Sequence, residues 1–443
     1  MAIIQWFVNL GASVILPILI FLFALVLGIK PAKAFKSGIT IGIGFVGLNL
    51  IIELLTKNLG PAAKAMVENF GLHLTSIDVG GPAAQAISYG TVLGSLAIPI
   101  GIILNVVLLL TKLTKTLDVD VWNFWHIAFT GSLVYMATKD FALGIVVMII
   151  HMMLLFLLAD ISAPLVQKYF GLEGISFPHG TSLPGFLIAL PLNWIFDHIP
   201  GMSKIKITSS TIQKRLGILG DSTFIGLIIG LVIGFLAKYP VDKILQLGVN
   251  TAAVLLLMPR MVSILMEGLT PISEGAGAFV KKRFPGRDLY IGMDSALAVG
   301  QEAVLSSGLV LIPITLLIAI VLPGNKLLPF ADLAMIPFLL PLMAAVFKGD
   351  IFRTILGGLV EIITCLYIGS WVAPFVTMAA KAANFKIQSG SSVSTLTEGG
   401  LWTTLLFVGI GKLFTWGGVI VIGILVLLAM IWQSKRSKTQ SQA

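Results

Sequence analysis

Charged side chains are scarce in this chain. Only 11% of its 443 residues are Asp, Glu, Lys or Arg, whereas about a quarter of the residues in a soluble domain are charged. Too few polar residues remain to cover the surface of a large soluble core, and the mean hydropathy of +1.01 agrees with a chain that lies in lipid. The scarcity of charge therefore excludes an ordinary soluble protein.

Cysteine is nearly absent as well. The single cysteine, Cys365, lies in an apolar run, which excludes an internal disulfide and any cysteine-based metal cluster. No P-loop, zinc-ligand spacing or Ser-His-Asp arrangement stands out, and we expect no cofactor and no metal. The stretch GIGFVG at 42–47 fits a dinucleotide fingerprint, but no strand precedes it, so we expect no nucleotide site there.

Long apolar runs dominate the sequence instead. A run of roughly 18 or more apolar residues is a candidate membrane helix, and such runs recur along the whole chain. They predict an all-α, multi-pass membrane protein with about eleven transmembrane helices. The predicted helices lie near 3–28, 36–57, 90–112, 122–138, 141–163, 219–237, 245–268, 305–322, 330–347, 354–380 and 404–432.

Lysine and arginine are concentrated in particular loops, as is typical of cytoplasmic loops. Lys30, Lys33 and Lys36 follow the first predicted helix, and basic residues also fill the C-terminal tail. We therefore predict that the N-terminus lies outside and the C-terminus inside, which requires an odd number of crossings. The net charge of +9 reflects this asymmetry and does not indicate nucleic-acid binding. Further basic clusters fall inside in the same scheme: Lys112 with Lys115, 204–215, 281–287, and Lys348 with Arg353.

Three segments are too short, too polar or too broken to span the bilayer. We predict that 72–89 and 288–304 are re-entrant hairpins. The segment 179–196 is predicted to be re-entrant or interfacial, because its prolines suit a broken element. Non-helical backbone survives at membrane depth only inside protein or beside a water-filled cavity. These segments are therefore expected to face the protein interior.

The two hairpins carry a similar polar pattern. Asp78 and Gln85 are seven residues apart in DVGGPAAQA, and Asp294 and Gln301 have the same spacing in DSALAVGQEA. Looser matches follow in the same order, such as HGTSLPG with SGSSVSTLTEGG. Because the matched segments are offset by five predicted helices, an odd number, we predict two inverted repeats, which point to a transporter's binding site. The predicted units are the first repeat 1–218, the second repeat 219–400, and a C-terminal helix and cytoplasmic tail 401–443.

Acidic residues inside the apolar zone are candidate functional groups. Each costs about 3 kcal/mol or more there and usually has a partner or a function. For Asp78 and Asp294 the repeated pattern favours function, and Gln301 and Glu302 lie in the same hairpin as Asp294. Carboxylates beside amides suit a polyhydroxylated ligand, since Asp accepts hydroxyl protons while Gln both donates and accepts. For Glu361, midway along a predicted helix, a structural ion pair and a functional role stay equally open.

Two histidines stand beside broken or aromatic segments. His126 lies in VWNFWHIAFTG and His179 in SFPHGTS. Histidine can bind a hydroxyl group or act as general base toward one, so both are candidates for a ligand site, with His179 or Asp294 as a possible base. His151 and His198 are assigned to ordinary structural positions.

At VWNFWHIAFTG, GLEGISFPHGTS and GMDSALAVGQEA the chain resembles enzyme IIC, the membrane component of the bacterial phosphoenolpyruvate-dependent sugar phosphotransferase system. The resemblance is to the galactitol-specific branch and, more loosely, to the ascorbate permease component. It implies a homodimer in the inner membrane, with a core domain that moves against a V-motif scaffold in an elevator manner. It also implies soluble partners IIA and IIB, of which IIB carries the phosphate on a cysteine.

The resemblance implies particular residues and domains. Positions that contact the ligand in the ascorbate relative are matched by Gln85, His126, His179, Asp294 and Ser295. The scaffold helices would lie in 3–57 and 219–268, and the core helices in 90–163 and 305–380. Because Cys365 lies within a predicted helix, this chain would depend on a partner for the phosphoryl group.

We therefore expect group translocation of a hexitol, galactitol first, delivered inside as its phosphate. The alternative is a secondary polyol transporter coupled to protons or sodium through the same acids. A weaker third hypothesis is a membrane scaffold without transport. The product distinguishes the first two, because only group translocation releases galactitol phosphate inside.

Overall fold

The apolar runs of the sequence form long helices in the computed structural model. The structure describes residues 12–69, 75–202, 205–208, 222–283, 289–329, 331–385, 387 and 392–440. The predicted start of the first helix at 3–11 and most of the basic segment 204–215 lie outside the described residues.

The α-helices follow most of the predicted segments. They are α1 Ala12–Val26, α2 Pro31–Asn69, α3 Gly81–Gly90, α4 Ala97–Leu110, α5 Trp125–Thr138, α6 Phe141–Phe170, α7 Leu183–His198, α8 Ser222–Leu236, α9 Val241–Arg283, α10 Ala296–Val299, α11 Glu302–Val321, α12 Pro341–Val346, α13 Ile351–Ala382 and α14 Trp402–Gln440. Short 3₁₀ helices occupy Gly94–Leu96, Val121–Phe124 and Ala331–Leu339.

Six short strands accompany the helices, and the all-α prediction did not include them. They are β1 Ser76–Asp78, β2 Thr116–Asp118, β3 Ile175–Ser176, β4 Tyr290–Gly292, β5 Leu327–Leu328 and β6 Ser392–Ser394. Each strand has only two or three residues, too few for an alternating pattern to show in the sequence.

The described parts of 12–198 and 222–440 share one order of elements. Each begins with a helix and a very long helix, α1–α2 and α8–α9. Each continues with a strand, a short helix, a longer helix, a second strand, a 3₁₀ helix, a helix, a long helix, a third strand and a final helix.

The six strands join the two halves, because each strand pairs only with strands of the other half. In one sheet β1 is central, between β5 and β6, and in the other β4 is central, between β2 and β3. All pairings are parallel. Each sheet therefore takes its central strand from one half and its outer strands from the other, so neither half completes a sheet alone.

Strand register corrects one detail of the sequence comparison. Ser76 pairs with Leu327 in the first sheet, and Tyr290 pairs with Thr116 in the second. If β1 and β4 are equivalent, Asp78 corresponds to Gly292, two residues before Asp294. In that alignment the two acids occupy different positions.

Several predicted helices differ from the observed ones. The helices predicted at 36–57 and 245–268 continue to Asn69 and Arg283. The segment 330–347 forms a 3₁₀ helix and the six-residue α12 in place of one α-helix, because proline removes a backbone donor and disfavours the α conformation before it. The helix predicted at 404–432 is broken at Thr415, where φ is 48° and ψ is −133°.

The break at Thr415 turns the chain back on itself. A Cβ on Gly418 would lie 2.5 Å from Cγ2 of Ile410, although residues eight apart in a straight helix are separated by about 12 Å along its axis. The two parts of α14 on either side of Thr415 are thus separate helical segments.

By length and composition, four helices of the described residues can cross a membrane. The helical stretches Ala83–Gly90 and Gly94–Leu110, which meet at an angle of 90°, together form a fifth candidate. The four are Phe141–Phe170, Glu302–Val321, Ile351–Ala382 and Trp402–Arg436. The chain is therefore a helical membrane protein, and the number of eleven crossings stays a prediction.

Two carboxylates clasp the tip of the first hairpin to the second half. Asp78 accepts the N–H of Gly80 through Oδ1 (3.0 Å) and the N–H of Asp332 through Oδ2 (2.7 Å). Asp332 in turn accepts the N–H groups of Gly81 (2.6 Å) and Thr397 (2.9 Å). This Asp78–Asp332 clasp joins β1, the 3₁₀ helix Ala331–Leu339 and the loop after β6.

We expect Asp332→Ala to destabilise the fold, because the buried N–H groups of Gly81 and Thr397 would lose their acceptor. Each unsatisfied group costs about 1–3 kcal/mol, so the melting temperature of the purified protein in detergent should fall clearly. Asp242→Ala is the control, since Asp242 lies exposed in the first turn of α9. Equal melting temperatures of the two variants would contradict a structural role of the clasp.

Candidate functional site

A cluster of buried polar side chains lies where the two halves meet. It draws on the first turn of α5, the loop between β3 and α7, the turn after β4 and the loop after β6. We call it the central cluster. Its members are His126, His179, Thr181, Ser182, Asp294, Ser295 and Glu398.

His179 makes polar contacts with three members of the cluster. Its Nε2 lies 3.3 Å from Oδ1 of Asp294, and its Nδ1 lies 3.0 Å from the hydroxyl oxygens of both Ser182 and Ser295. A carboxylate at Nε2 holds the ring proton there, which leaves Nδ1 as an acceptor facing the hydroxyls. The Ser182 hydroxyl donates to Ser295 Oγ (2.5 Å), so the hydroxyls form a chain toward His179.

Asp294 is the most accessible member of the central cluster. Its side chain is 25% exposed, compared with 6% for His179. The N–H of Ala296 donates to Asp294 Oδ1 (2.8 Å), which fixes the carboxylate at the start of α10. The imidazole is therefore oriented by a carboxylate that is itself held by backbone.

His126 and Glu398 form a second pair, fully buried. His126 Nδ1 lies 3.0 Å from Glu398 Oε2, with both side chains 0% exposed. The Thr181 hydroxyl donates to the same oxygen (3.3 Å). The rings of His126 and His179 meet edge to face, with centroids 4.6 Å apart. The two pairs therefore belong to one cluster.

Two polar atoms of this second pair have no hydrogen-bond partner among the described residues. They are His126 Nε2 and Glu398 Oε1. Most buried polar atoms in proteins have a partner, so exceptions call for an explanation such as a bound ligand or water. Both atoms are positions where a ligand hydroxyl would find a partner.

Local backbone chemistry fixes the second pair. A Cβ on Gly180 would lie 2.5 Å from Cγ of His126, so only glycine lets the imidazole lie this close to the loop. The Thr395 hydroxyl oxygen accepts the N–H groups of Glu398 (3.0 Å) and Gly399 (3.1 Å). The Thr404 hydroxyl donates to the Glu398 carbonyl (2.8 Å). The loop that carries Glu398 is thus held at both ends.

Four of the predicted site residues come together in the central cluster: His126, His179, Asp294 and Ser295. Asp78 lies in the clasp instead, and its Oδ1 also lies 3.4 Å from the N–H of Leu396, in the loop that leads to Glu398.

The other three predicted residues lie elsewhere in their helices. Gln301 caps α11, with Oε1 accepting the N–H groups of Ala303 and Val304. Glu302 is exposed in the first turn of α11, and Gln85 is half-buried in α3. Among the described residues, no hydrogen bond joins Gln85, Gln301 or Glu302 to the cluster.

Sequence reasoning missed Thr181, Ser182 and Glu398 as site residues. The available signal was the loose match between HGTSLPG and SGSSVSTLTEGG. Glu398 meets His126 across 272 residues of chain, so no local pattern predicts their contact.

For Glu361, the sequence left a structural ion pair and a functional role open, and the structure lends no support to the ion pair. It is buried in α13, and neither carboxylate oxygen has a hydrogen-bond partner in the described part of the chain. No ion pair of Glu361 forms there either.

His151 Nδ1 contacts the Thr130 hydroxyl (2.8 Å), as expected of an interior histidine.

The charged groups of the central cluster are carboxylates and imidazoles. In the described ranges, no lysine or arginine makes an ion pair or hydrogen bond with a cluster member. The same ranges contain no group of three or more His, Cys, Asp or Glu arranged to hold a metal ion. The cluster can therefore bind hydroxyl groups and move a proton between them.

Comparison with known proteins agrees with these features. Residues 6–390 match the family EIIC-GAT, described as PTS system sugar-specific permease component. The chain is 40% identical to the "PTS system galactitol-specific EIIC component" of Escherichia coli strains K12 and O157:H7, over 98% of this chain and 96% of each relative. It is 38% identical to the "Putative permease IIC component" of strain K12, over 97% of this chain and 99% of that relative. The chain belongs to the EIIC-GAT family of sugar-specific permease components of the phosphotransferase system.

Proposed function

We propose that this membrane protein translocates galactitol inward while a partner IIB subunit phosphorylates it. The observation that carries the proposal is the central cluster. In it His179 lies within hydrogen-bonding reach of Asp294 and Ser295, and the ring of His126 packs edge to face on the His179 ring, with centroids 4.6 Å apart. The similarity to galactitol-specific relatives supports the same substrate. IIA would pass phosphate to IIB, and no cofactor is needed on this chain.

The chemistry of the cluster suits a polyol. Carboxylates and neutral imidazole nitrogens accept hydroxyl protons, and serine hydroxyls both donate and accept. A site built to bind hydroxyls discriminates strongly against ligands that lack them, because its buried polar groups would then be unpaired. Gln85, Gln301 and Glu302 stay predicted contacts, and Asp78 supports the site through the clasp.

His179 would receive the hydroxyl proton through Ser295. As the polyol oxygen attacks the phosphoryl group on the IIB cysteine, an O–P bond forms and the S–P bond breaks. The polyol proton passes to Ser295 Oγ, the Ser295 proton passes to His179 Nδ1, and Asp294 stabilises the imidazolium. The proton then returns to the thiolate released on IIB. Cys365 is buried in α13, so IIB would supply the phosphocysteine.

The two halves would be inverted repeats in the membrane. The predicted orientation places β2, β3 and β4 inside and β1, β5 and β6 outside, which are the same two sets that form the two sheets. Ser434 donates to the carbonyl of Lys112 (2.8 Å), a predicted inside position. Trp416 donates to Asp140 (2.7 Å), a predicted outside position. These contacts support an N-terminus outside, a C-terminus inside and eleven crossings.

Two segments would be re-entrant in this arrangement. The helix α7 begins at the cluster and ends beside Arg353, whose guanidinium contacts Asp197 (2.6 Å), so 179–196 would return to the inside. Its counterpart is the part of α14 before Thr415, which would run from the cluster to the outside. The second repeat would then continue to about residue 414, and the rest of α14 would cross to the cytoplasm.

The long helices α2 and α9 would form the scaffold of a homodimeric elevator. They are joined by a hydrogen bond from Asn250 to Asn58 (2.6 Å). The helix α2 also exposes an apolar stripe suited to lipid or to a second copy, formed by Phe35, Ile39, Ile43, Val46 and Leu50. The rest of each half would form the core that carries the cluster.

We expect vesicles containing this protein to accumulate galactitol phosphate only when IIA, IIB, the general phosphotransfer proteins and phosphoenolpyruvate are present. The measurement is chromatography of the labelled product after uptake of labelled galactitol. Asp294→Asn should lower the rate at least about 100-fold, since losing a partner of a buried charged group costs about 3–5 kcal/mol. Free galactitol accumulating on an ion gradient alone would contradict group translocation.

The proposed orientation predicts opposite labelling of two engineered cysteines. An impermeant maleimide applied to intact spheroplasts should label Lys326→Cys, predicted outside, and should label Lys112→Cys only after the membrane is opened. Both positions are exposed in the structure. The parent chain is the control, because its one cysteine is buried. The reverse pattern would refute this topology.

Gly180→Ala should weaken galactitol binding at least about tenfold, or about 1.4 kcal/mol, because the added methyl group displaces the His126 ring. Equilibrium binding of labelled galactitol to purified protein measures the change. Gly409→Ala serves as the control, since its nearest atoms would lie 3.9 Å from the new carbon. Unchanged binding in Gly180→Ala would remove His126 from the site.

A further inference from the structure

We propose that Glu398 determines the charge selectivity of the site, so that neutral polyols bind and their anionic acid analogues are rejected. This inference rests on the polyol-binding function proposed above and assigns the discrimination to one residue. Glu398 lies on the loop after β6, outside the segments that the sequence comparison singled out as hairpins.

Hydrogen-bond directions in the second pair carry the first step. Glu398 Oε2 is occupied by His126 Nδ1 and Thr181 Oγ1, whereas Oε1 is buried without a partner in the described residues. With the His126 proton on Nδ1 toward the carboxylate, the unpartnered Nε2 is an acceptor. Both unsatisfied atoms therefore require a donor from the ligand.

A hydroxyl group and a carboxylate meet this requirement differently. A hydroxyl donates one hydrogen bond and accepts others, so it can satisfy either atom. An ionised carboxylate only accepts, and it would face Oε1 and Nε2 with no proton to share. The Asp294 carboxylate in the same cluster adds a like charge.

No lysine or arginine of the described residues forms an ion pair or hydrogen bond with the cluster, where it could compensate an anion. Burying a charge without a partner is strongly unfavourable. The pair also cannot rearrange easily, since Gly180 packs against His126 and the hydroxyls of Thr395 and Thr404 hold the Glu398 loop.

The test compares two near-isosteric ligands that differ in charge. Purified protein in detergent is given labelled galactitol, which galactonamide or galactonate then displaces. We expect galactonamide to compete within about tenfold of galactitol, and galactonate to be at least about 100-fold weaker than galactonamide. Equal competition by both would overturn the inference while leaving galactitol binding intact. Failure of galactitol itself to bind would instead overturn the proposed function.

A variant assigns the effect to Glu398. Glu398→Gln should weaken galactitol binding and reduce the galactonamide-to-galactonate ratio at least about tenfold, because the amide presents N–H donors to the ligand. Glu361→Gln is the matched control, being the same change at a buried acid whose carboxylate has no hydrogen bond to His126 among the described residues. It should preserve the ratio. An unchanged ratio in Glu398→Gln, or an equal shift in Glu361→Gln, would overturn the assignment. Thermal unfolding verifies that both variants are folded. The comparison of galactonamide with galactonate on the wild-type protein does not depend on either variant.

Discussion

Buried backbone groups must find hydrogen-bond partners inside the protein, and this constraint governs how the two halves join. Lipid offers no donors or acceptors, so broken segments survive only where protein supplies them. Here each half supplies partners for the other half. The strands β1 and β4 are each completed by two strands from the opposite half, and the Asp78–Asp332 clasp satisfies backbone N–H groups at the hairpin tip. The halves are therefore mutually dependent.

The central cluster follows from this mutual completion. Glu398 approaches from the second half and His126 from the first, while His179 from the first half meets Asp294 from the second. Because both pairs cross the junction, the polar groups are oriented by backbone on each side. A ligand that replaces water there meets a preformed set of acceptors, which is the arrangement that distinguishes hydroxyl-bearing ligands from others.

Much of the fold was predictable because membrane helices leave a strong local signal. The apolar runs predicted most helices. The repeated polar pattern indicated Asp294, the broken and aromatic surroundings indicated His126 and His179, and the family resemblance added Ser295. The strands and Glu398 were not predictable, since a three-residue strand has no period and the His126–Glu398 contact spans 272 residues. Asp78 and Asp294 have equal spacing from glutamines, but Asp78 lies in the clasp and Asp294 in the central cluster. If β1 and β4 are equivalent, the positions of the two acids differ by two residues.

The exchanged strands also limit how such a site can open. Separating the two halves would break β1 from β5 and β6, and β4 from β2 and β3, and would leave buried backbone groups without partners at a cost of about 1–3 kcal/mol for each. A motion that keeps these pairings must carry the cluster and both hairpins as one body. The helix pairs α1–α2 and α8–α9 precede the strands in each half, so in the proposed scaffold they would be the elements against which that body moves. This is the physical reason that the proposed elevator motion suits this chain better than a gate between its halves.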